Sequence, residues 1–221
     1  MDIEANIREY IYGDGKTQGI KPAERYASFD YCFNYFQSFR EEDRLDELAS
    51  PNCIEESCLQ LGFYLASWGM LRGSSFLLGK SVKVYEAVVK AISSANPAIW
   101  DVDAHCYTSS SIRLILDFRK EIIQALGYAN NPSDILVTKI MLGVFGNVPA
   151  FDTYFKRGFG VSTFGKQALE KIARFYEANK SAIDRYRPAT IDFVTGQPTH
   201  RLYTRAKVID MIFFIEGSKT T

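Results

Sequence analysis

Along most of this chain apolar residues recur every three or four positions, a spacing that predicts helices rather than strands. In residues 2–12, Ile3, Ile7, Tyr10 and Ile11 share one face, and Gly13, Gly15 and Gly19 then break the chain. Pro22 suits the first turn of a helix over 23–40, whose Tyr26, Phe29, Cys32, Phe33, Phe36 and Phe39 step by three and four. Residues 41–48 read as a charged, exposed helical piece, stopped by Ser50-Pro51-Asn52. Residues 54–72 are apolar on nearly every face, which predicts a helix buried at the centre of the domain. Its Gly62, Ala66, Ser67 and Gly69 would admit close neighbours.

Amphipathic helices follow over 81–94 and 109–128, the second with Ser110 or Ser111 as cap and Gly127 near its end. Ser133 caps a helix that runs to about Leu142. A short helix over 149–158 and a long basic one over 163–186 come next. Residues 187–201 are the only stretch with strand character and read as a loop or small hairpin. Residues 207–215 form an apolar helix, after which the chain should fray from Gly217. The pattern predicts an all-α, single globular domain, 1–221, of roughly nine helices around a buried central helix at about 54–72.

The chain has 221 residues, of which 47% are hydrophobic. A chain of that length buries roughly 70% of its unfolded surface, enough for a core without disulfides or metals. Basic and acidic residues balance at 26 each, which argues against a protein that coats nucleic acid by charge alone. The balance is uneven along the chain: residues 1–148 carry 14 Lys and Arg against 19 Asp and Glu, and residues 149–221 carry 12 against 7. The last third therefore carries either a modest positive field or a solvated surface with chance asymmetry.

The charged start has no apolar stretch of a secretory signal, so the four cysteines are expected as free thiols in the cytoplasm. Cys53 and Cys58 lack zinc spacing, and no metal or cofactor is expected. The longest apolar run, residues 59–71, is short of the about 20 residues a bilayer span needs, so no membrane is expected.

Chemistry-bearing residues are few. His105 and His200 would serve a hydrolase only if a serine or cysteine met one of them in space; otherwise they are surface residues. Asp101, Asp103 and His105 fall within five positions of one loop, two carboxylates and a histidine of the kind that can hold a metal. Arg72, followed by Gly-Ser-Ser, either binds an anion or satisfies carbonyls at a helix end. Arg25 and Asp30 are too poorly spaced to pair along one helix.

The segment from Thr138 to Arg157 concentrates more than these. A helix end, the glycine-rich turn Leu142-Gly-Val-Phe-Gly146 and a new helix start deliver Asp152 beside Pro149 and before Lys156 and Arg157. Pro149-Ala-Phe-Asp152-Thr-Tyr-Phe-Lys-Arg157 resembles the Pro-apolar-apolar-Asp-Thr-x-apolar-x-Arg signature of helix-hairpin-helix DNA glycosylases. That resemblance implies an all-α fold, Asp152 as the catalytic carboxylate, and Lys139, Lys156 and Arg157 as DNA-binding groups, to which Arg72 adds an anion-binding candidate on its own turn chemistry. In this chain the glycine-rich turn runs directly into Pro149, and no cysteine cluster for an iron–sulfur centre is present. The alternative is that Asp152 caps the helix that follows it. The block from Tyr64 to Ser75 is similar to helical, aromatic-rich proteins common in bacteria, a likeness that implies no function. Two readings result. One is a cytoplasmic interaction or regulatory module with a protein partner; the other is a DNA-binding protein with glycosylase-type chemistry at Asp152.

Overall fold

The computed structural model describes residues 1–15 and 18–219. The fold is helical, with a single two-stranded sheet among the described residues. Helices α1 (Ile3–Tyr12), α2 (Ala27–Glu41), α3 (Ile54–Ser67), α4 (Glu86–Ser93) and α5 (Ser109–Leu126) lead to α6 (Asp134–Phe145), α7 (Thr153–Phe159) and α8 (Lys166–Arg185). Strands β1 (Ala189–Ile191) and β2 (Pro198–Leu202) form an antiparallel hairpin before α9 (Arg205–Ser218).

Two helices take the centre. Every residue of α6 from Leu136 to Phe145 is buried, and so is every residue of α9 from Ala206 to Ile215. Helix α6 packs against α2, α3 and α5, while α9 packs against α1, α7 and α8. Close approach needs missing side chains. A Cβ on Gly143 would lie 2.4 Å from the Tyr64 ring, and one on Gly158 would lie 2.5 Å from the Phe213 carbonyl oxygen. Gly217, where the pattern predicts fraying, is buried in α9, and a Cβ there would meet the Tyr154 oxygen at 1.9 Å. Residues 220–221 of that expected frayed end lie outside the described residues.

The expected central helix at 54–72 is not central. Helix α3 ends at Ser67, and it leaves Leu59 51% and Phe63 70% exposed. Gly69, at φ +76°, terminates it. The Gly69 amide bonds the Ala66 carbonyl at 2.9 Å and the Met70 amide bonds the Leu65 carbonyl at 2.9 Å, the paired pattern of a left-handed C-terminal cap. Its solvent-facing apolar side lines a groove described below.

Elsewhere the boundaries follow capping chemistry. Thr108, not Ser110 or Ser111, is the N-cap of α5, and the Ser111 hydroxyl answers it by accepting from the Thr108 amide. Ser133 caps α6 as its spacing predicts. Residues 41–48 and 81–85 contain single 3₁₀ turns where the pattern predicts longer helix. Helix α8 kinks at Asn179, whose side-chain amide donates to the Phe175 carbonyl at 2.8 Å. No helix among the described residues is long and apolar enough to cross a membrane.

Candidate functional site

The turn between α6 and α7 is held from every side. Gly146, at φ +65°, ends α6, and its carbonyl accepts from the Thr204 hydroxyl. The Asn147 carbonyl accepts from the Tyr107 hydroxyl. The Ala150 amide donates to Asp210 Oδ1 at 2.9 Å and the Phe151 amide to Thr138 Oγ1 at 2.9 Å. So fixed, the chain places Asp152 at the N-cap of α7, where Oδ1 accepts the Phe155 amide at 3.0 Å. Its other oxygen, Oδ2, lies 3.3 Å from Lys139 Nζ. Asp152 is therefore a cap and also half of an ion pair. Lys139 stems from the middle of the buried helix α6 and is only 3% exposed. A lone ammonium so deep would cost several kcal/mol, so its carboxylate is structurally required.

A second pair lies on α9. Lys207 Nζ donates to Asp210 Oδ2 and to the Tyr10 hydroxyl, both at 3.0 Å. Burial disfavours the Lys207 ammonium, but the Tyr10 oxygen and the Asp210 carboxylate more than offset that and hold its pKa above the usual lysine range. Burial pushes the Tyr10 hydroxyl up as well. Asp210 thus joins Lys207 to the turn that presents Asp152.

Both lysines lie under one aromatic tier. Tyr10 stacks on Tyr26 with centroids 4.5 Å apart, and Tyr26 stacks on Trp68 at 5.5 Å. The edge of Phe214 meets all three rings, and Tyr154 meets Phe214. Lys139 Nζ lies 4.9 Å from the Trp68 centroid and Lys207 Nζ 5.7 Å; the Arg25 guanidinium lies 5.1 Å from the same ring. Cations over an indole face gain electrostatic attraction, strongest where water is excluded. The Trp68 Nε1, itself buried, has no hydrogen-bond partner among the described residues, as is also true of Trp100 Nε1 and the Tyr85 hydroxyl.

The remaining residues singled out by sequence fall elsewhere. Lys156 and Arg157 share α7 with the cap; Arg157 donates to the Gly217 carbonyl at 3.3 Å. Arg72 is exposed in the turns after α3 and lies back against Gly69. Neither Lys156 nor Arg72 pairs with Asp152, whose partners are Lys139 and the Phe155 amide. Asp101 pairs with Arg40. Asp103 accepts the amides of Ala104, Arg205 and Ala206 and so ties its turn to the start of α9. Burial opposes its charge, but hydrogen bonds from His105 and these amides hold its carboxyl below the usual range. No group of three metal-ligating side chains occurs among the described residues. His105 faces Asp103 and His200 faces Glu41, and among the described residues neither histidine is hydrogen-bonded to a serine or cysteine. The four cysteines are free thiols.

Asp30 is fully buried. Its carboxylate accepts the Tyr203 hydroxyl and, at 3.0 Å, the Ile191 amide, which fastens the hairpin to α2. Burial raises its pKa to about 7, with these hydrogen bonds and Lys207 pulling the other way. Beside this lies a groove of about 1050 Å³ between α2, α3 and the hairpin, walled by Arg25, Tyr31, Tyr35, Phe63, Phe193 and Arg201.

Lys207, Asp210, Tyr10 and Tyr26 have no part in the sequence reading of this centre. The available signal is a lysine and an aspartate three apart inside an otherwise apolar helix, which must pair if that helix is buried. The chain matches no family model, no curated protein and no solved structure.

Proposed function

We propose that this chain binds nucleic acid and cleaves a base–sugar bond at a centre formed by Asp152 and Lys139. The single observation that carries this reading is the Lys139–Asp152 contact of 3.3 Å, made across a helix–turn–helix and set against an aromatic ring. A structural cap needs only the α7 amide. A carboxylate whose second oxygen is held by a buried ammonium has fixed geometry and fixed charge, which is what stabilising a cationic sugar requires. In the reaction the bond from sugar C1′ to the base nitrogen breaks, the base leaves with the electron pair, and water adds its oxygen to C1′ while the proton it loses passes to the departing base nitrogen. Asp152 supplies the negative charge facing C1′. Lys156, Arg157 and the exposed basic residues of α8 supply phosphate contacts. A cytoplasmic location accompanies this reading.

The test is a titration with labelled duplex DNA at two salt concentrations, coupled to an assay of base release from duplexes carrying damaged bases. Asp152→Asn keeps an acceptor for the Phe155 amide but removes the charge that pairs Lys139, so it should lose base release at some cost in stability, and Asp152→Asn combined with Lys139→Met, which removes both charges, should keep the fold and still lose base release. Replacing Lys156 and Arg157 by Ala should flatten the salt slope by up to about two units. Absence of binding by the wild type at low salt overturns the proposal. The groove, with exposed Phe63, Leu59 and Phe193 along it, favours an interaction module in that event.

A further inference from the structure

We infer that this chain pairs with a second copy of itself through the outer face of α3, the two helices lying antiparallel across a two-fold axis. Helix α3 packs its inner side on α2 and α6 and leaves Leu59 and Phe63, one turn apart, standing in solvent. Neither belongs to the core that the rest of the helix helps to build. They form a ridge with a hollow on each side. One hollow is the groove of about 1050 Å³ shared with α2 and the hairpin, whose wall also carries Tyr31, Tyr35 and the exposed Phe193. The other is a smaller hollow of about 250 Å³ that reaches Leu77 and Val82. Leu59 and Phe63 stand in the walls of both. An apolar ridge of this kind, continuous with aromatic hollows, marks a contact surface.

The face is complementary to itself. A ridge beside a hollow packs onto its own copy turned half round, because each ridge then enters the other's hollow. Charge selects the direction. Glu55 and Glu56 share the face of the ridge, four and three positions before Leu59, at the start of α3. Arg25 stands at the other end of the helix, where it lines the groove with Ser67 and its guanidinium lies 5.1 Å from the Trp68 ring; the exposed Arg72 follows in the turns beyond. Among the described residues none of these four makes an ion pair within the chain. Two carboxylates also line the groove, but Asp192 accepts the Thr195 amide and hydroxyl, and Glu24, beside Arg25 in sequence, is partly buried. With the axis halfway between Leu59 and Phe63, Leu59 faces the partner's Phe63. Glu55 and Glu56 then fall opposite the partner's Ser67 and Ala66, at the end of the helix that carries Arg25. A parallel pairing would set carboxylates against carboxylates and align the helix dipoles unfavourably. The antiparallel one has an apolar centre and a charged rim, the layout of a specific interface. A partner of different sequence would have to supply a matching ridge, hollow and charge order; a second copy supplies all three by symmetry.

Sedimentation velocity of the full chain from about 1 to about 100 µM tests this. At the upper end wild type should sediment as a dimer, at twice 25.0 kDa. Phe63→Glu should be a monomer throughout, and Phe63 is exposed enough for the substitution to leave the core intact. Glu55→Lys with Glu56→Lys should weaken the dimer about tenfold, since each contact across a two-fold axis occurs twice, and Arg25→Glu should do the same. Combining the three reversals should restore most of that loss, because opposite charges face each other again. A wild type still monomeric at about 100 µM overturns the inference, and whatever covers this face is then a different protein. A dimer that Phe63→Glu leaves intact is made elsewhere and overturns it too. A dimer that Phe63→Glu dissolves but the combined reversal does not restore overturns the antiparallel pairing. Circular dichroism of each variant checks the fold, and Leu59→Lys replaces Phe63→Glu should the latter fail to fold. The measurement uses protein alone. A monomer therefore leaves the nucleic-acid reading untouched, and a failure to bind DNA leaves the dimer standing.

Discussion

Protonation of Asp30 should couple stability to pH with a sign opposite to that of most carboxylates. Its pKa rises from an ordinary 3.8 to about 7 because it is buried, with only the Tyr203 hydroxyl, the Ile191 amide and the more distant Lys207 to favour its charge. A carboxyl raised in the folded state binds a proton there more tightly than in the unfolded chain, so stability falls as pH rises between the two values. The loss begins near pH 4, is complete above about pH 7, and stays constant beyond. A rise of about three units is worth about 4 kcal/mol at 1.36 kcal/mol per unit. About 3 kcal/mol of that falls between pH 4.5 and 7.5.

The comparison that isolates it is wild type against Asp30→Asn, each unfolded in urea at both pH values. Asparagine accepts from Tyr203 but offers an amide hydrogen toward the Ile191 N–H, so the variant loses one hydrogen bond, about 1 kcal/mol, at every pH. That offset cancels in the change with pH. The expected result is that wild type loses about 3 kcal/mol relative to the variant on going from the lower to the higher pH. A difference that stays flat, or one that moves toward wild type, would mean that the hydrogen bonds outweigh burial and that Asp30 is an ordinary ionised carboxylate.

Asp152→Ala should cost about 3–5 kcal/mol in urea unfolding, since it removes a cap and strands the buried Lys139 ammonium; a cost near 1 kcal/mol would mean that only the cap matters. Lys207→Met and Asp210→Ala should each cost about 3–5 kcal/mol in urea unfolding, because each strands its partner's buried charge, with Asp210→Ala the worse since it also frees the Ala150 amide; a Lys207→Met variant as stable as wild type would refute the pairing. Gly217→Ala should unfold or strongly destabilise the protein by driving α9 from α7, whereas Gly165→Ala, with open space around its Cβ, should change the melting temperature little.

The sequence pattern locates helices well where one face is apolar and a capping residue stands at the right offset. Helices α1 and α5, and Ser133 at the head of α6, follow that rule. It misplaces α3 because all-round apolarity reads as burial, when Leu59 and Phe63 serve a groove and Gly69 is a helix terminator rather than a packing contact. The true central helices hide their depth because charges interrupt them. Helix α6 is interrupted by Lys139 and α9 by Lys207 and Asp210, side chains that look like surface until their partners are known. Those partners are 13 positions away for Lys139 and on α1 as well as α9 for Lys207, and separation in sequence carries no trace of such contacts.

Capping alone would not single out Asp152. Aspartates fasten loops throughout this fold: Asp30 takes the Ile191 amide, Asp103 three amides around α9, Asp134 the Phe164 amide and Asp210 the Ala150 amide. The short side chain suits the task, since it reaches a neighbouring N–H with little rotamer entropy to lose. Each of these has a purely architectural account. Asp134 even carries a cation, but its Arg119 is partly open to water and touches no aromatic tier. Asp152 shares with Asp210 a second oxygen held by a buried lysine near Trp68, and differs in being partly open to solvent. Lys139 is buried, contacts Trp68 and reaches Asp152 from the opposite side of the turn. A fold that needed only a cap would place a neutral serine or threonine there, as it does at Thr108, Ser133 and Thr204, and would leave position 139 apolar like the rest of α6. This core keeps two such pairs, and the one at Asp152 is the more open to solvent, which is the reason to look for chemistry at this turn.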